Sequence, residues 1–120
     1  MAPKPVKIPL NSICPTEYLL PQDKLDEIAT HYDGTIESIE PIVGYQVGPH
    51  FYPDNGNKRS CFVYMKSHEY ILGYRQPFDP DEISDLIKSA QKAQRHNVHT
   101  LADLTSKIVS RQEYDTIIDK

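Results

Sequence analysis

Apolar and polar positions alternate close to the start of the chain. Val6, Ile8 and Leu10 are each separated by one residue, and this period of two is typical of a β-strand. Pro9 lies inside the run and cannot donate a ladder hydrogen bond, so we predict an edge strand. Residues 1–5 contain two prolines and no periodic pattern, and we predict a flexible leader there.

The next pattern has the period of a helix. Gly34 supplies a residue that readily ends a helix in a left-handed conformation, and Pro21 suits the first turn. The sequence therefore predicts a short amphipathic helix over residues 22–33. Its apolar face is formed by residues spaced three and four apart, namely Leu25, Ile28, Ala29 and Tyr32.

Three strands are predicted in the middle of the chain. Residues 42–47 alternate in the manner of a central strand, and residues 48–57 are dense in turn formers, which predicts an exposed loop or hairpin tip. Residues 61–65 are apolar, aromatic or β-branched, and residues 69–75 contain a second such run. We therefore predict that residues 60–75 form an antiparallel hairpin.

The last third of the chain is predicted to be helical. Asp79, Pro80 and Glu82 form a strong start signal, with an Asp cap, a proline in the first position and a carboxylate three residues after the cap. The apolar stripe that follows predicts a helix to about Arg95, and a second helix is predicted over residues 100–112. The resulting fold class is α/β (α+β), with a small mixed sheet covered by one N-terminal and two C-terminal helices.

Length and composition indicate one domain. The 120 residues predict a single domain over residues 6–120, with a sheet-forming part at 6–76 and the C-terminal helices at 79–120. The longest apolar runs are too short to span a bilayer, and no apolar segment follows the charged N-terminus, so we expect a cytoplasmic protein that does not bind membranes. A net charge of −4, spread evenly, argues against general nucleic-acid binding, although Lys58 and Arg59 form a local basic pair.

Metal and nucleophile signatures are weak. Cys14 and Cys61 have no CxxC spacing, and we expect two reduced thiols, with a single disulfide as the alternative. His96 and His99 lack the further ligands that a metal needs, so no metal site is predicted. Enzyme status is left open, with a non-enzyme favoured.

Two sites are predicted from residue chemistry. A strand that ends in Gly73 and Arg75 suits an anion, because glycine lets a ligand approach the main chain and arginine offers a planar fork of donors. The turn-rich segment carries His50, Phe51 and Tyr52, an aromatic cluster that a protein partner can bind. The alternative for these rings is that they fold back over the sheet.

Three segments, residues 6–13, 40–43 and 70–76, resemble the N-terminal domain shared by the partition protein ParB and sulfiredoxin. That family closes on a Gly-x-Arg-Arg or Gly-x-His-Arg box that binds nucleotide phosphates, so the resemblance implies that Gly73 and Arg75 contact phosphate. The implied ligand is a nucleoside triphosphate with magnesium. Gln76 stands where the second arginine belongs, which makes the box degenerate.

Two functional hypotheses follow. The first is a small acidic protein-interaction module, an inhibitor or adaptor of the kind that mobile elements encode, built on this degenerate scaffold. The alternative is a nucleotide- or phosphate-binding protein of the ParB and sulfiredoxin type, for which a phosphotransfer or nuclease activity would be expected.

Overall fold

The computed structural model of the chain describes residues 3–118. Part of the predicted leader and the last two residues of the predicted domain therefore lie outside the described residues. Within residues 3–118 the chain forms six strands and five α-helices. The strands are β1 (Val6–Pro9), β2 (Leu20–Pro21), β3 (Ile42–Val47), β4 (His50–Asn55), β5 (Tyr70–Arg75) and β6 (Ile108–Val109). The helices are α1 (Gln22–His31), α2 (Asn57–Met65), α3 (Pro80–Arg95), α4 (Leu101–Thr105) and α5 (Arg111–Ile118).

A mixed four-stranded sheet with the order β1-β5-β3-β4 forms the centre of the fold. β1 runs antiparallel to β5, β3 runs parallel to β5, and β4 returns antiparallel to β3. The predicted strands at the N-terminus, at 42–47 and at 69–75 are confirmed, and β1 lies at the sheet edge as its proline indicated. The mixed sheet expected from the sequence is therefore correct.

One face of the sheet is buried beneath helices. Ile8, Ile42, Phe51 and Ile71 project from the four strands and are fully buried. Because apolar burial is the main favourable term in folding, this face forms the larger core. Its helical side is contributed by Leu25 of α1, Cys61, Phe62 and Val63 of α2, and Leu101 and Leu104 of α4.

On the opposite face of the sheet, α3 packs against β3 and β4. Ile83 and Leu86 of α3 lie with Tyr45 of β3 in a second, smaller cluster. The predicted start of α3 is confirmed, since the Asp79 side chain accepts hydrogen bonds from the backbone N–H groups of Asp81 and Glu82. α3 thus covers the part of this face formed by β3 and β4. The part formed by β5 and β1 is described below.

The prediction of a strand at residues 61–65 was wrong, because this segment belongs to helix α2. Gly56 adopts a φ of 140°, a conformation that L side chains rarely adopt, and it separates β4 from α2. The Asn57 amide then fixes the first turn, accepting from the Thr16 backbone N–H at 2.9 Å and donating to the Thr16 hydroxyl at 2.8 Å. The predicted hairpin over residues 60–75 is consequently absent, and a helix–strand unit takes its place.

The number of helices was also underestimated. The predicted helix over residues 100–112 is broken, since α4 ends at Thr105 and is followed by β6. β6 pairs in parallel with β2, with Leu20 opposite Ile108. Residues 48–57 were predicted as an exposed loop or hairpin tip. Residues 48–49 form the tip of the β3–β4 hairpin, but most of the remaining segment is β4, which pairs with β3. Within residues 3–118 no helix is both long and apolar enough to cross a bilayer.

Candidate functional site

The predicted anion site lies at the end of β5, where its two residues have different environments. A Cβ built on Gly73 would lie 2.8 Å from Cγ1 of Ile42 and 3.0 Å from Cγ1 of Ile8. Glycine is therefore required here by core packing on the buried face, which gives it a role that the sequence did not indicate. Arg75 is exposed, and its Nε donates to Oε1 of Gln46 at 3.2 Å.

A groove of about 640 Å³ lies beside Arg75. Its lining includes Val43 and Tyr74. The charged residues of the lining are two cations, Lys4 and Arg75. Two cations without a carboxylate create a locally positive potential in an acidic chain. The groove can therefore accept an anion through the guanidinium and the ammonium group.

The predicted partner-binding cluster is divided between the core and the surface. Phe51 is fully buried, so its ring is not available to a partner, whereas His50 is exposed and Tyr52 is half-buried. The alternation of β4 places Phe51 on the opposite face of the sheet from its two neighbours. Burial raises the pKa of the Tyr52 hydroxyl, and the adjacent Cys14 thiol adds to this rise.

A second pocket of about 370 Å³ contains a cation that sequence reasoning treated only as part of a basic pair. The guanidinium of Arg59 lines this pocket, together with the carboxylate-bearing residues Glu27 and Glu40. Its Nη1 donates to the carbonyls of Glu40 and Pro41 at 3.1 and 2.8 Å, and its Nη2 donates to Oδ1 of Asn55 at 2.8 Å. These hydrogen bonds connect α2 to the end of β4 and to the residues just before β3.

Burial lowers the pKa of Arg59, and the carboxylate of Glu40 acts in the opposite direction. Three of its donor contacts already go to protein oxygens, and the pocket rim carries negative charge. An anion is thus better accommodated beside Arg75 than beside Arg59. No signal in the sequence indicated this role of Arg59, because the helix that carries it was predicted as a strand.

The half of the sheet face beside α3 presents apolar side chains to the surface. Tyr70, Leu72 and Tyr74 alternate along β5, Lys7 lies opposite Leu72 on β1, and Val43 lies opposite Tyr74 on β3. We call these five residues the open face. Tyr70 keeps 40% of its surface exposed, and Leu72, Tyr74 and Val43 are only half-buried. A period of two in the sequence is sufficient to predict that the three β5 residues share a face, but it does not predict that this face is exposed.

The cysteines do not form a reactive centre. Both thiols are free, and burial raises the pKa of Cys61 to about 12. Because the thiolate is the nucleophile, this burial disfavours the reactive form of Cys61 at neutral pH. Within residues 3–118, no cluster of three His, Cys, Asp or Glu side chains has a geometry that would hold a metal ion.

Comparisons of the chain with protein-family models, curated proteins and solved structures found no match. The resemblance to the ParB and sulfiredoxin domain consequently rests on the short motifs of the sequence and remains a prediction.

Proposed function

We propose that this protein is a small acidic protein-interaction module that acts as an inhibitor or adaptor of the kind that mobile elements encode. The observation that carries this proposal is the open face. Tyr70, Leu72 and Tyr74 form a row of large apolar side chains on β5, and α3 packs on the same face of the sheet against β3 and β4.

The composition of the open face resembles that of a binding surface. Large apolar patches are uncommon on monomeric proteins, and those present often mark interaction sites. Tyrosine is enriched in such sites because it offers a wide apolar ring and a hydroxyl at low entropic cost. Lys7 lies over Tyr70 with its ammonium 5.7 Å from the ring centroid, which places a charge beside the apolar row.

The test compares proteins captured by the wild-type chain with those captured by Leu72→Lys and Tyr70→Ala. Both substitutions alter the open face, and Gln91→Lys on the exposed side of α3 is the matched control for an added lysine. We expect a specific partner to be retained by the wild type and by Gln91→Lys and to be lost with Leu72→Lys. Capture that is identical for all four chains would refute the proposal.

The second candidate function is binding of a phosphate-bearing ligand, as expected for a ParB- or sulfiredoxin-like protein. It is favoured by the groove that Lys4 and Arg75 line without a carboxylate. A nucleoside triphosphate with magnesium is the ligand that the resemblance implies. Arg75 is suited to it because a guanidinium pairs with phosphate oxygens through two parallel hydrogen bonds.

Thermal unfolding with a panel of nucleoside triphosphates and magnesium tests the second function. A ligand at 100 times its Kd stabilises a fold by about 2.7 kcal/mol, which corresponds to a rise in Tm of about 10 °C for a domain of this size. We expect this rise to be lost in Arg75→Ala and kept in Arg95→Ala, a control at the exposed end of α3. A rise that is lost instead in Arg59→Lys would move the site to the 370 Å³ pocket.

A further inference from the structure

We infer that the pocket of about 370 Å³ beside Arg59 binds a free α-amino acid with an apolar side chain. Arg59 would hold the carboxylate of the ligand and Glu40 its ammonium group, while two isoleucines would contact its side chain. The pocket lies among α1, α2 and the segment 38–40, on the opposite side of the sheet from the open face. This inference therefore goes beyond the proposed function and is tested independently of it.

The guanidinium of Arg59 is suited to hold a carboxylate. Only 13% of the Arg59 side chain is exposed, and three hydrogen bonds to protein oxygens fix its orientation. A guanidinium has five N–H donors, so these bonds leave at least two for a ligand. Hydrogen bonds between ionised groups are stronger than neutral ones, and electrostatic interactions strengthen away from water. This largely buried cation can therefore anchor a carboxylate more firmly than an exposed arginine can.

The carboxylates of the lining call for a positive group on the same ligand. Glu27 and Glu40 line the pocket with largely exposed side chains, and Oε2 of Glu40 lies 3.7 Å from Nη1 of Arg59. These two carboxylates disfavour a simple anion, and Arg59 disfavours a simple cation. An α-amino acid complements both, because its carboxylate and its ammonium group are attached to the same carbon.

Glu40 is the expected partner of the ammonium group. Lys24 contacts Glu27 at 3.5 Å and neutralises part of its charge. Helix α1 also ends beside the pocket, at His31, and the C-terminal end of a helix favours positive charge. The ammonium group therefore has two favourable partners, the Glu40 carboxylate and the end of α1.

The rest of the lining suits a compact apolar side chain. Ile39 is buried and Ile28 is half-buried, and both line the pocket. The hydroxyls of Thr30 and Ser38 already donate to main-chain carbonyls, each at 2.6 Å, so they do not select a polar ligand. Ligand pockets commonly measure about 300–1,000 Å³, and about 370 Å³ is at the small end of this range. A ligand of the size of leucine fits these dimensions.

The test titrates the isotope-labelled full chain with leucine and follows the amide signals by NMR. Three further ligands each lack one recognised feature, since N-acetylleucine has no positive charge, leucinamide no negative charge and glycine no apolar side chain. We expect leucine to shift the signals of residues 28–31 and 38–40 and the Nε signal of Arg59. Leucinamide and glycine should bind at least about tenfold more weakly, because a charged hydrogen bond and a buried leucine side chain each contribute that much. N-acetylleucine should bind about threefold more weakly, because Glu40 is exposed.

Substitutions assign these effects to individual residues. Glu40→Gln should weaken leucine about threefold but should not weaken N-acetylleucine, which has no ammonium group. Glu37→Gln is the matched control, because Glu37 is exposed on the same segment and does not line the pocket. Arg59→Lys should weaken leucine at least about tenfold, since lysine lacks the planar fork of donors, and circular dichroism verifies that this variant is folded. The comparison of leucine with leucinamide tests Arg59 on the wild-type chain, without any substitution.

Three results would overturn this inference. An absence of shifts in the signals of the pocket at millimolar leucine would show that the pocket does not bind amino acids. Equal affinities for leucine and leucinamide would remove the role assigned to Arg59. Binding of N-acetylleucine that is as tight as that of leucine, or tighter, would identify a site for simple anions instead.

Discussion

Phe51 provides the sharpest test of how the sheet is built. The ring is fully buried, and it lies so close to Gly44 that a Cβ built there would be 2.7 Å from two ring carbons. Replacing a buried phenylalanine with alanine typically costs about 3–5 kcal/mol, because apolar contacts are lost and a cavity remains. Gly44 has no side chain that can move into this cavity, so we expect about 4 kcal/mol for Phe51→Ala.

Urea unfolding followed by circular dichroism measures this loss. With a denaturant slope of about 2 kcal/mol per molar, a loss of 4 kcal/mol lowers the unfolding midpoint by about 2 M. The equivalent fall in Tm is about 16 °C, since a chain of this length has an unfolding entropy of about 0.25 kcal/mol per kelvin.

Phe78→Ala is the matched control because it removes the same ring from a position that is 81% exposed. Exposed substitutions generally change stability by less than about 0.5 kcal/mol, so we expect a nearly unchanged midpoint. A loss below about 1 kcal/mol for Phe51→Ala, similar to that of the control, would mean that the Phe51 ring lies on the surface. The partner-binding cluster predicted at residues 50–52 would then be restored.

Three further predictions follow from the packing and the hydrogen bonds. Gly73→Ala should cost about 1–3 kcal/mol in urea unfolding, because its methyl group would meet an isoleucine side chain and a backbone carbonyl; an unchanged midpoint would contradict the packing. The pKa of Asp103 is lowered, chiefly by the backbone N–H of His99, so its stabilisation is complete above the unfolded pKa of about 3.9 and is lost as the pH falls through the lowered folded value. Asp103→Asn should therefore flatten the fall in Tm below about pH 4, and an unchanged acid profile would exclude this contribution. In a Cys14→Ser background, Cys61, whose pKa burial raises to about 12, should react with a disulfide reagent at pH 8 only after unfolding; labelling of the folded chain would show that the thiol is accessible.

Local sequence patterns correctly predicted the elements whose conformation is determined by residues within the element itself. The Asp79 cap and the apolar stripe after it specify α3, and Pro9 limits β1 to the sheet edge. The segment at Cys61–Met65 was misassigned because a short apolar run fits a buried strand and a buried helix equally well. Gly56 and the paired Asn57 and Thr16 decide in favour of the helix, and Thr16 is 41 residues away from Asn57. Propensity within the segment therefore could not reveal this choice.

The open face illustrates a second limit of the sequence. The alternation in β5 showed that Tyr70, Leu72 and Tyr74 share one face, and this much is local. Whether that face is covered depends on where α3 packs, which is a contact between segments that are distant in the sequence. α3 packs against Tyr45, Val47 and Tyr52 of β3 and β4 and leaves β5 partly exposed. The alternation that places Gly73 against Ile42 in the core puts the tyrosines on the other side of the strand, and the exposure of that side depends on the packing of α3 rather than on any motif.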